Sequence, residues 1–351
     1  VRRLKVALIF GGRSAEHEVS LRSARSIASA LDPERYEVVP VAIDRKGVWQ
    51  IADGAVKYLE NSTSEEVAHT SGALVPAFSA ENCPFDLAFP IVHGPYGEDG
   101  TLQGLLKLAN VPFVGPSVLG SAVGMDKDVT KRLLREAGIP VPKFKVFSSV
   151  REINPEQCFS ELGQTLFVKP ANMGSSVGIS RVKSVAALEA AVALAFQFDC
   201  KILVEEGVAA REIEVSVLGN SDPQASVPGE IRPKGGFYDY ENKYISDDGA
   251  ELLIPAPLTS AEVSRCQELA VRTFKVLCCE GMSRVDLFLT ATGELMVNEI
   301  NTLPGFTSIS MYPKLWEASG LSFRNLLDRL IELAIERFNR ESRYLVKPDA
   351  N

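Results

Sequence analysis

The densest run of chemistry-bearing residues in this 351-residue chain is Arg284-Val285-Asp286-Leu287-Phe288-Leu289, a turn at Ala291-Thr292-Gly293-Glu294, and then Leu295-Met296-Val297-Asn298-Glu299-Ile300-Asn301. Two strand-like runs joined by a short turn form an antiparallel hairpin. If the turn closes symmetrically, Asp286 stands opposite Glu299 and Arg284 opposite Asn301, and side-chain alternation puts all of these on one face. The other face carries Val285, Leu287, Leu289, Met296 and Ile300, with Asn298 as its polar member, and packs on a core. Carboxylates facing each other across a hairpin repel. A divalent cation turns that repulsion into attraction, and carboxylate and carboxamide oxygens suit a hard ion such as Mg²⁺. The spacing also fits a solvated face on which Arg284 neutralises Asp286, and a one-residue slip in register would turn the set towards the core.

The segment after the hairpin, Thr302-Leu303-Pro304-Gly305-Phe306-Thr307-Ser308-Ile309-Ser310, is a loop. Gly305 lets backbone N–H groups approach a ligand, as an oxyanion hole requires. Ser310 and the Met311 N–H begin the next helix, a natural place to hold a carboxylate. Lys127, Lys169 and Lys243 each sit beside special local structure, although a lone lysine is also an ordinary solvated residue. Lys169 precedes Asn172-Met173-Gly174-Ser175-Ser176-Val177-Gly178, a loop rich in backbone and hydroxyl donors for phosphate. It is not a Walker A loop, and Phe10-Gly11-Gly12-Arg13-Ser14-Ala15 is not a G-x-G-x-x-G fingerprint, which removes the case for a dehydrogenase. Glu205 and Glu206 end a strand and Glu212 opens the next. They could accept hydrogen bonds from an adenine amine and ribose hydroxyls, or simply be charges at a sheet edge.

The elements that must carry these residues alternate between strands and amphipathic helices, the pattern of an α/β protein. Strands are predicted at 6–10, 37–43 and 86–90, with a helix at 20–31 and another running to 110, capped by Thr101 or Asp99. A charged helix over 126–137 closes at Gly138, and Pro140 and Pro142 beyond it mark a junction. Strands at 166–169, 202–205 and 212–218 and helices at 185–198, 261–277 and 323–340 follow. Residues 61–80 read as a surface insertion.

Length suggests two or three packed units. A hydrophobic fraction of 46% with 23% charged residues is ordinary for a soluble globular protein. The net charge of −8 argues against a general nucleic-acid surface. No apolar run approaches the roughly 20 residues that span a bilayer, and Val1-Arg2-Arg3-Leu4-Lys5 leads into a strand rather than a signal peptide, so a cytoplasmic, membrane-free protein is expected. The 6 cysteines form no CxxC pair and there are only 3 histidines, so reduced thiols are expected and a zinc enzyme is not.

The motifs together resemble the D-alanine–D-alanine ligases of the ATP-grasp family along almost the whole chain. They are Phe10 to Ser20, His93-Gly94 with Gly97-Glu98-Asp99-Gly100, Met125-Asp126-Lys127, Val168-Lys169-Pro170, Gly174 to Gly178, Phe237-Tyr238-Asp239-Tyr240 with Lys243-Tyr244, Arg284-Val285-Asp286 and Asn298 to Thr307. The resemblance implies a three-domain α/β ATP-grasp architecture: an N-terminal parallel-sheet domain (1–123) with the first D-alanine site, a central subdomain (124–204) with the phosphate loop, and a C-terminal subdomain (205–351) with the metal, a lid loop over 235–249 and the second D-alanine site. By the same resemblance ATP lies between the second and third parts, with Lys127, Lys169, Lys243 and Ser176 on phosphates, Glu205 on adenine, Val208 in the purine pocket and Glu212 on ribose. Asn298 belongs to that nucleotide set, and Asp286, Glu299 and Asn301 hold two Mg²⁺ (or Mn²⁺) ions. Glu16 takes the first D-alanine's ammonium near His93. Ser310 and Met311 take the second carboxylate, Arg284 and the Gly305 N–H meet the oxyanion, and Glu16, Ser175 and Tyr244 form a trio closing the lid. A homodimer supplying cell-wall peptidoglycan precursors is implied as well. Tyr244 favours D-alanine over a hydroxy acid such as D-lactate as second substrate, and a D-alanine–D-lactate or D-alanine–D-serine ligase is the alternative within the same family. A non-catalytic nucleotide-binding relative would show gaps among Glu16, Arg284, Asp286, Glu299 and Asn301, and none is missing.

Overall fold

The first strand, β1 (Leu4–Gly11), is an unbroken apolar run whose residues Val6 to Phe10 are wholly buried, as a parallel strand covered on both faces requires. In the computed structural model, which describes residues 2–51, 53–60, 83–233 and 250–344, β1 pairs in parallel with β2 (Tyr36–Ile43) and with β4 (Leu87–Pro90). The short β3 (Trp49–Ile51) adds an antiparallel edge, giving the order β3-β2-β1-β4. The helix His17–Ala30 starts ahead of the predicted position, so Ser20 lies inside it. There the Ser20 hydroxyl accepts from the Gly11 N–H at 2.8 Å and donates to the Ile91 carbonyl, tying the helix to the ends of β1 and β4. The helix Thr101–Leu108 is capped by neither predicted residue. Its N-cap is Gly100 at φ 90°, a left-handed conformation that glycine adopts without strain, while Asp99 accepts the Thr101 N–H at 2.9 Å.

A second sheet, β5 (Phe144–Phe147), β6 (Leu166–Pro170), β7 (Ser180–Val182) and β8 (Ile202–Glu206), has the order β5-β8-β6-β7 with antiparallel neighbours. The helices Pro155–Leu162 and Val185–Ala195 cover it through Cys158, Leu162, Leu188 and Val192. The third sheet contains β9 (Ala210–Gly219), β10 (Gln224–Ala225), β11 (Gly229–Pro233), β12 (Ala250–Leu253), β13 (Gly281–Thr290) and β14 (Leu295–Asn301). Its order is β12-β11-β9-β13-β14, with β10 on β9. The helix Ser260–Val276, opened by a Thr259–Glu262 capping box, buries one face of this sheet through Cys266, Leu269, Ala270 and Phe274.

The end of the chain returns to the first sheet. Leu326, Leu330 and Ile331 of the helix Phe323–Glu341 share a core with Leu8, Phe10 and Phe89, and Arg337 donates to the Phe113 carbonyl at 2.7 Å. Phe306 is enclosed in this core, edge-on to Phe89 at 6.0 Å and 5.6 Å from Tyr312. The loop after β14 is thereby anchored between the first and third sheets. The predicted surface insertion over 61–80 and the lid over 235–249 lie outside the described residues.

Candidate active site

The β13–β14 hairpin has the expected pairing at its functional end: Asp286 opposite Glu299 and Arg284 opposite Asn301. The symmetric turn is not what produces it. Leu289 pairs with Leu295, Phe288 with Met296 and Leu287 with Val297, one residue away from symmetric closure, and a β-bulge between Asp286 and Leu287 restores the register by leaving Asn298 on β14 as the extra residue. Two expectations are corrected by this. Val297, not Met296, is buried with Val285, Leu287, Leu289 and Ile300, and Asn298 leaves the core face. Its two oxygens meet cations instead, with Oδ1 3.4 Å from the Lys169 ammonium and the carbonyl 3.5 Å from that of Lys131.

Arg284 sits inside a carboxylate cluster. Its Nε and one terminal nitrogen each donate to Asp286 at 2.7 Å, and Nε is 3.0 Å from Glu214 on β9. Asn301 Nδ2 donates to Asp286 Oδ2 at 3.0 Å. Opposite Asp286 in the register on the other side stands Glu214, and opposite Phe288 stands Glu212, so β9 extends the acidic face. Among the described residues no three His, Cys, Asp or Glu side chains converge as a complete metal cage. Asp286, Glu299 and Asn301 offer carboxylate and carboxamide oxygens on one face, which fits Mg²⁺, an ion that draws much of its shell from water and phosphate.

Facing that sheet, the end of β6 presents Lys169, whose ammonium donates to Glu205 at 2.8 Å, while Lys131 lies 3.3 Å from the other Glu205 oxygen. All three are buried. Burial works against ionising Glu205, yet the two lysines outweigh it and hold the carboxyl down to about 2. Burial lowers Lys131, whereas for Lys169 the Glu205 partner overcomes burial and the value rises. Val208 lies half-buried in the connection from β8 to β9, and Glu212 is half-buried near the start of β9. Lys127 opens the helix Lys127–Glu136, whose Asp126 cap accepts from Asp128 and Val129, and the Lys127 ammonium donates to the Met173 carbonyl at 2.5 Å in the glycine- and serine-rich loop over 172–178. In that loop Ser175 and Ser176 have φ of 50° and 60°, values that non-glycine residues rarely adopt and that aim consecutive N–H groups to one side. Lys127, Ser175, Asn298, Glu299 and Asn301 line one cleft together with Glu98.

Glu16, just before the helix His17–Ala30, is buried and accepts from the Ser175 hydroxyl, which joins the first part of the chain to the loop over 172–178. A Cβ on Gly94 or on Gly174 would lie 3.0 Å from Glu16 Oε2, so both glycines leave this carboxylate room for its approach. Lys243 and Tyr244, expected from the sequence on phosphate and in the lid, lie outside the described residues. His93 is buried, and with Nδ1 2.9 Å from the Leu303 carbonyl it is held as a donor there. Burial lowers its pKa, keeping the ring neutral with Nε2 as the acceptor. The helix Met311–Ala318 begins after Ser310 as expected, and Ser310 accepts from the Thr307 N–H at 3.0 Å rather than capping its own helix. The first N–H groups of that helix therefore suit a carboxylate. A Cβ on Gly305 would lie 2.8 Å from Ser310 Oγ, so only glycine brings this backbone close.

Sequence reasoning missed Lys131, Glu214 and Glu98 as members of the site. Lys131 lies one helical turn from Lys127 and Glu214 two residues from Glu212, spacings that share a face. Glu98 has a bridging role: Oε2 accepts from Gly94 at 2.7 Å and Oε1 from Leu303 at 3.0 Å, so Glu98 and His93 clasp both polar groups of Leu303. Burial, reinforced by the Glu16 charge, pushes its carboxyl up to about 8. With the folded value above the ordinary 4.5, the stability this group supplies is full below pH 4.5 and is lost as pH rises towards 8. Glu98→Gln is therefore expected to flatten the fall of Tm between about pH 5 and 8. Parallel Tm–pH curves for the two proteins would remove Glu98 from that role.

Residues 5–116 match the family model for the D-ala D-ala ligase N-terminus and residues 133–332 that for the D-ala D-ala ligase C-terminus. The chain is 51% identical to the D-alanine--D-alanine ligase of Oceanobacillus iheyensis over 353 residues, covering 96% of each protein. It is 50% identical to D-alanine--D-alanine ligase A of Escherichia coli K12 over 95% of this chain and 96% of that one. The solved D-alanine-D-alanine ligase from Coxiella burnetii superposes with a TM-score of 0.85 at 39% identity, covering 98% of this chain and 97% of that one. The VanG D-Ala:D-Ser ligase from Enterococcus faecalis gives 0.83 at 38% identity, covering 95% and 100%. With two family models spanning most of its length and relatives matched end to end at half identity, the chain belongs to the D-alanine–D-alanine ligase family.

Proposed function

We propose that this protein joins two D-alanine molecules into D-alanyl-D-alanine with conversion of ATP to ADP and phosphate, supplying peptidoglycan precursors from the cytoplasm as a homodimer. The observation that carries the reading is the hairpin: carboxylates of Asp286 and Glu299 stand opposite each other beside Asn301 and Arg284, facing Lys169. The three-part division at 1–123, 124–204 and 205–351 goes with it.

In the first step a carboxylate oxygen of D-alanine attacks the γ-phosphorus, the bond to the β-phosphate oxygen breaks, and ADP leaves behind D-alanyl phosphate. Lys127, Lys169, Lys243 and Ser176 meet the phosphates, while Glu205, Val208, Glu212 and Asn298 position the nucleoside side. Two Mg²⁺ or Mn²⁺ ions held by Asp286, Glu299 and Asn301 would offset phosphate charge when bound. Glu16 and His93 orient the first substrate's amino end. In the second step the amine of the other D-alanine, its carboxylate against Ser310 and the Met311 N–H, attacks the acyl carbon. Arg284 and the Gly305 N–H stabilise the oxyanion, the amine sheds a proton, and the carbon–oxygen bond to phosphate breaks. An acyl phosphate reacts readily with water, so this reading gives the loop over 235–249 the role of a lid, with Tyr244 as the partner that the family resemblance implies for Glu16 and Ser175.

The test is phosphate release with ATP, Mg²⁺ and D-alanine, alone or with D-serine or D-lactate, with products identified by mass. D-alanyl-D-alanine as the main product near neutral pH is expected. A D-alanyl-D-serine or depsipeptide product would keep the chemistry and overturn the assignment of the second substrate.

A further inference from the structure

The buried group Lys131–Glu205–Lys169 holds two ammoniums against one carboxylate, and the two cations differ in access. Lys131 has 2% of its side chain exposed. Its ammonium is enclosed by Glu205 at 3.3 Å, the carbonyl of the bulged Asn298 at 3.5 Å and the Phe144 ring at 5.8 Å. Lys169 has 11% of its side chain exposed and reaches Glu205 at 2.8 Å and Asn298 Oδ1 at 3.4 Å, on the side that also feels Glu299 and Glu212. A carboxylate as deeply buried as Glu205 must keep a cationic partner. If Lys169 were that sole partner, moving to an incoming phosphate would leave Glu205 stranded. We propose that Lys131 is the standing counter-ion of Glu205 and so releases Lys169 to an arriving nucleotide phosphate, which makes Lys131 a positioning residue for the nucleotide. The bulge at Asn298 belongs to the same device, because it turns a backbone carbonyl to the cation that stays and an amide oxygen to the one that leaves. This rests on the reading that Lys169 meets phosphate.

The experiment compares Mg-ADP with adenosine by calorimetry, because the ratio of their affinities isolates the phosphate part and cancels any contact of Glu205 with adenine. Lys131→Met is expected to reduce the ADP-to-adenosine affinity ratio about ten-fold, the worth of one charge-assisted contact. The double variant Lys131→Met/Glu205→Gln, in which the carboxylate no longer claims Lys169, is expected to recover the parental ratio, and Lys131→Arg to retain it. Equal loss of both ligands in Lys131→Met, or a ratio that stays low in the double variant, would overturn the proposal; if Lys131→Met does not fold, the double variant alone decides on the same criterion. Lys169→Met is the separate control: a parental ratio there would strike down the phosphate contact of Lys169 and the proposal with it, whereas a reduced ratio there with a parental ratio in Lys131→Met would overturn the proposal alone.

Discussion

Glu299→Gln is expected to lower kcat about a thousand-fold, the several kcal/mol that a metal ion contributes to a phosphoryl-transfer transition state. The substitution keeps the shape of β14 and removes one negative charge directly across from Asp286. In the ligand-free protein two of the consequences oppose each other. Glu299 loses its attraction to Lys169 and Lys131, and Asp286 loses a cross-strand repulsion. The rise in Tm on adding Mg-ADP should shrink, since ligand stabilisation follows affinity for the native state. Phosphate release at saturating D-alanine, with melting curves with and without Mg-ADP, measures both. A folded variant with near-parental kcat would take metal binding away from the hairpin.

Arg284→Lys is expected to lower kcat by roughly 10²–10³, the range for losing one oxyanion donor, with KM for ATP near the parental value. The guanidinium grips Asp286 with paired bonds of 2.7 Å while lying 3.0 Å from Glu214. A lysine keeps the charge, which the acidic face needs, but loses the planar fork that fixes where a third donor points. Steady-state kinetics on both substrates separate the effects. A raised KM for ATP with unchanged kcat would place Arg284 on the nucleotide rather than on the reacting carbon.

The pairing of Asp286 with Glu299 was legible because alternation along a strand is strict and the turn is short. Its route was not. The displaced pairing of Leu289 with Leu295 and the bulge at Asn298 offset each other, so a symmetric hairpin gives the right partners at the functional end and the wrong ones, Met296 for Val297, in the core. The start of the first helix was placed three residues late, at Ser20, which lies inside the helix and spends its hydroxyl on Gly11 and Ile91. Lys131 escaped notice because a buried lysine is rare enough that a helical lysine reads as solvated. Only the three-dimensional meeting of β6, β8 and β14 supplies its partners. The Glu98–His93 clasp on Leu303 is equally invisible along the chain, joining residues more than 200 positions apart. Roles such as adenine recognition by Glu205 came from resemblance, not from spacing.

The most direct measurement of the central claim uses D-alanine labelled with ¹⁸O in its carboxylate, with ATP and Mg²⁺, and mass analysis of the products. Ligation through D-alanyl phosphate transfers one carboxylate oxygen to inorganic phosphate, so singly labelled phosphate should appear with each dipeptide formed, and ADP should be unlabelled. Dipeptide accompanied by unlabelled phosphate, or label carried into the nucleotide, would contradict the account.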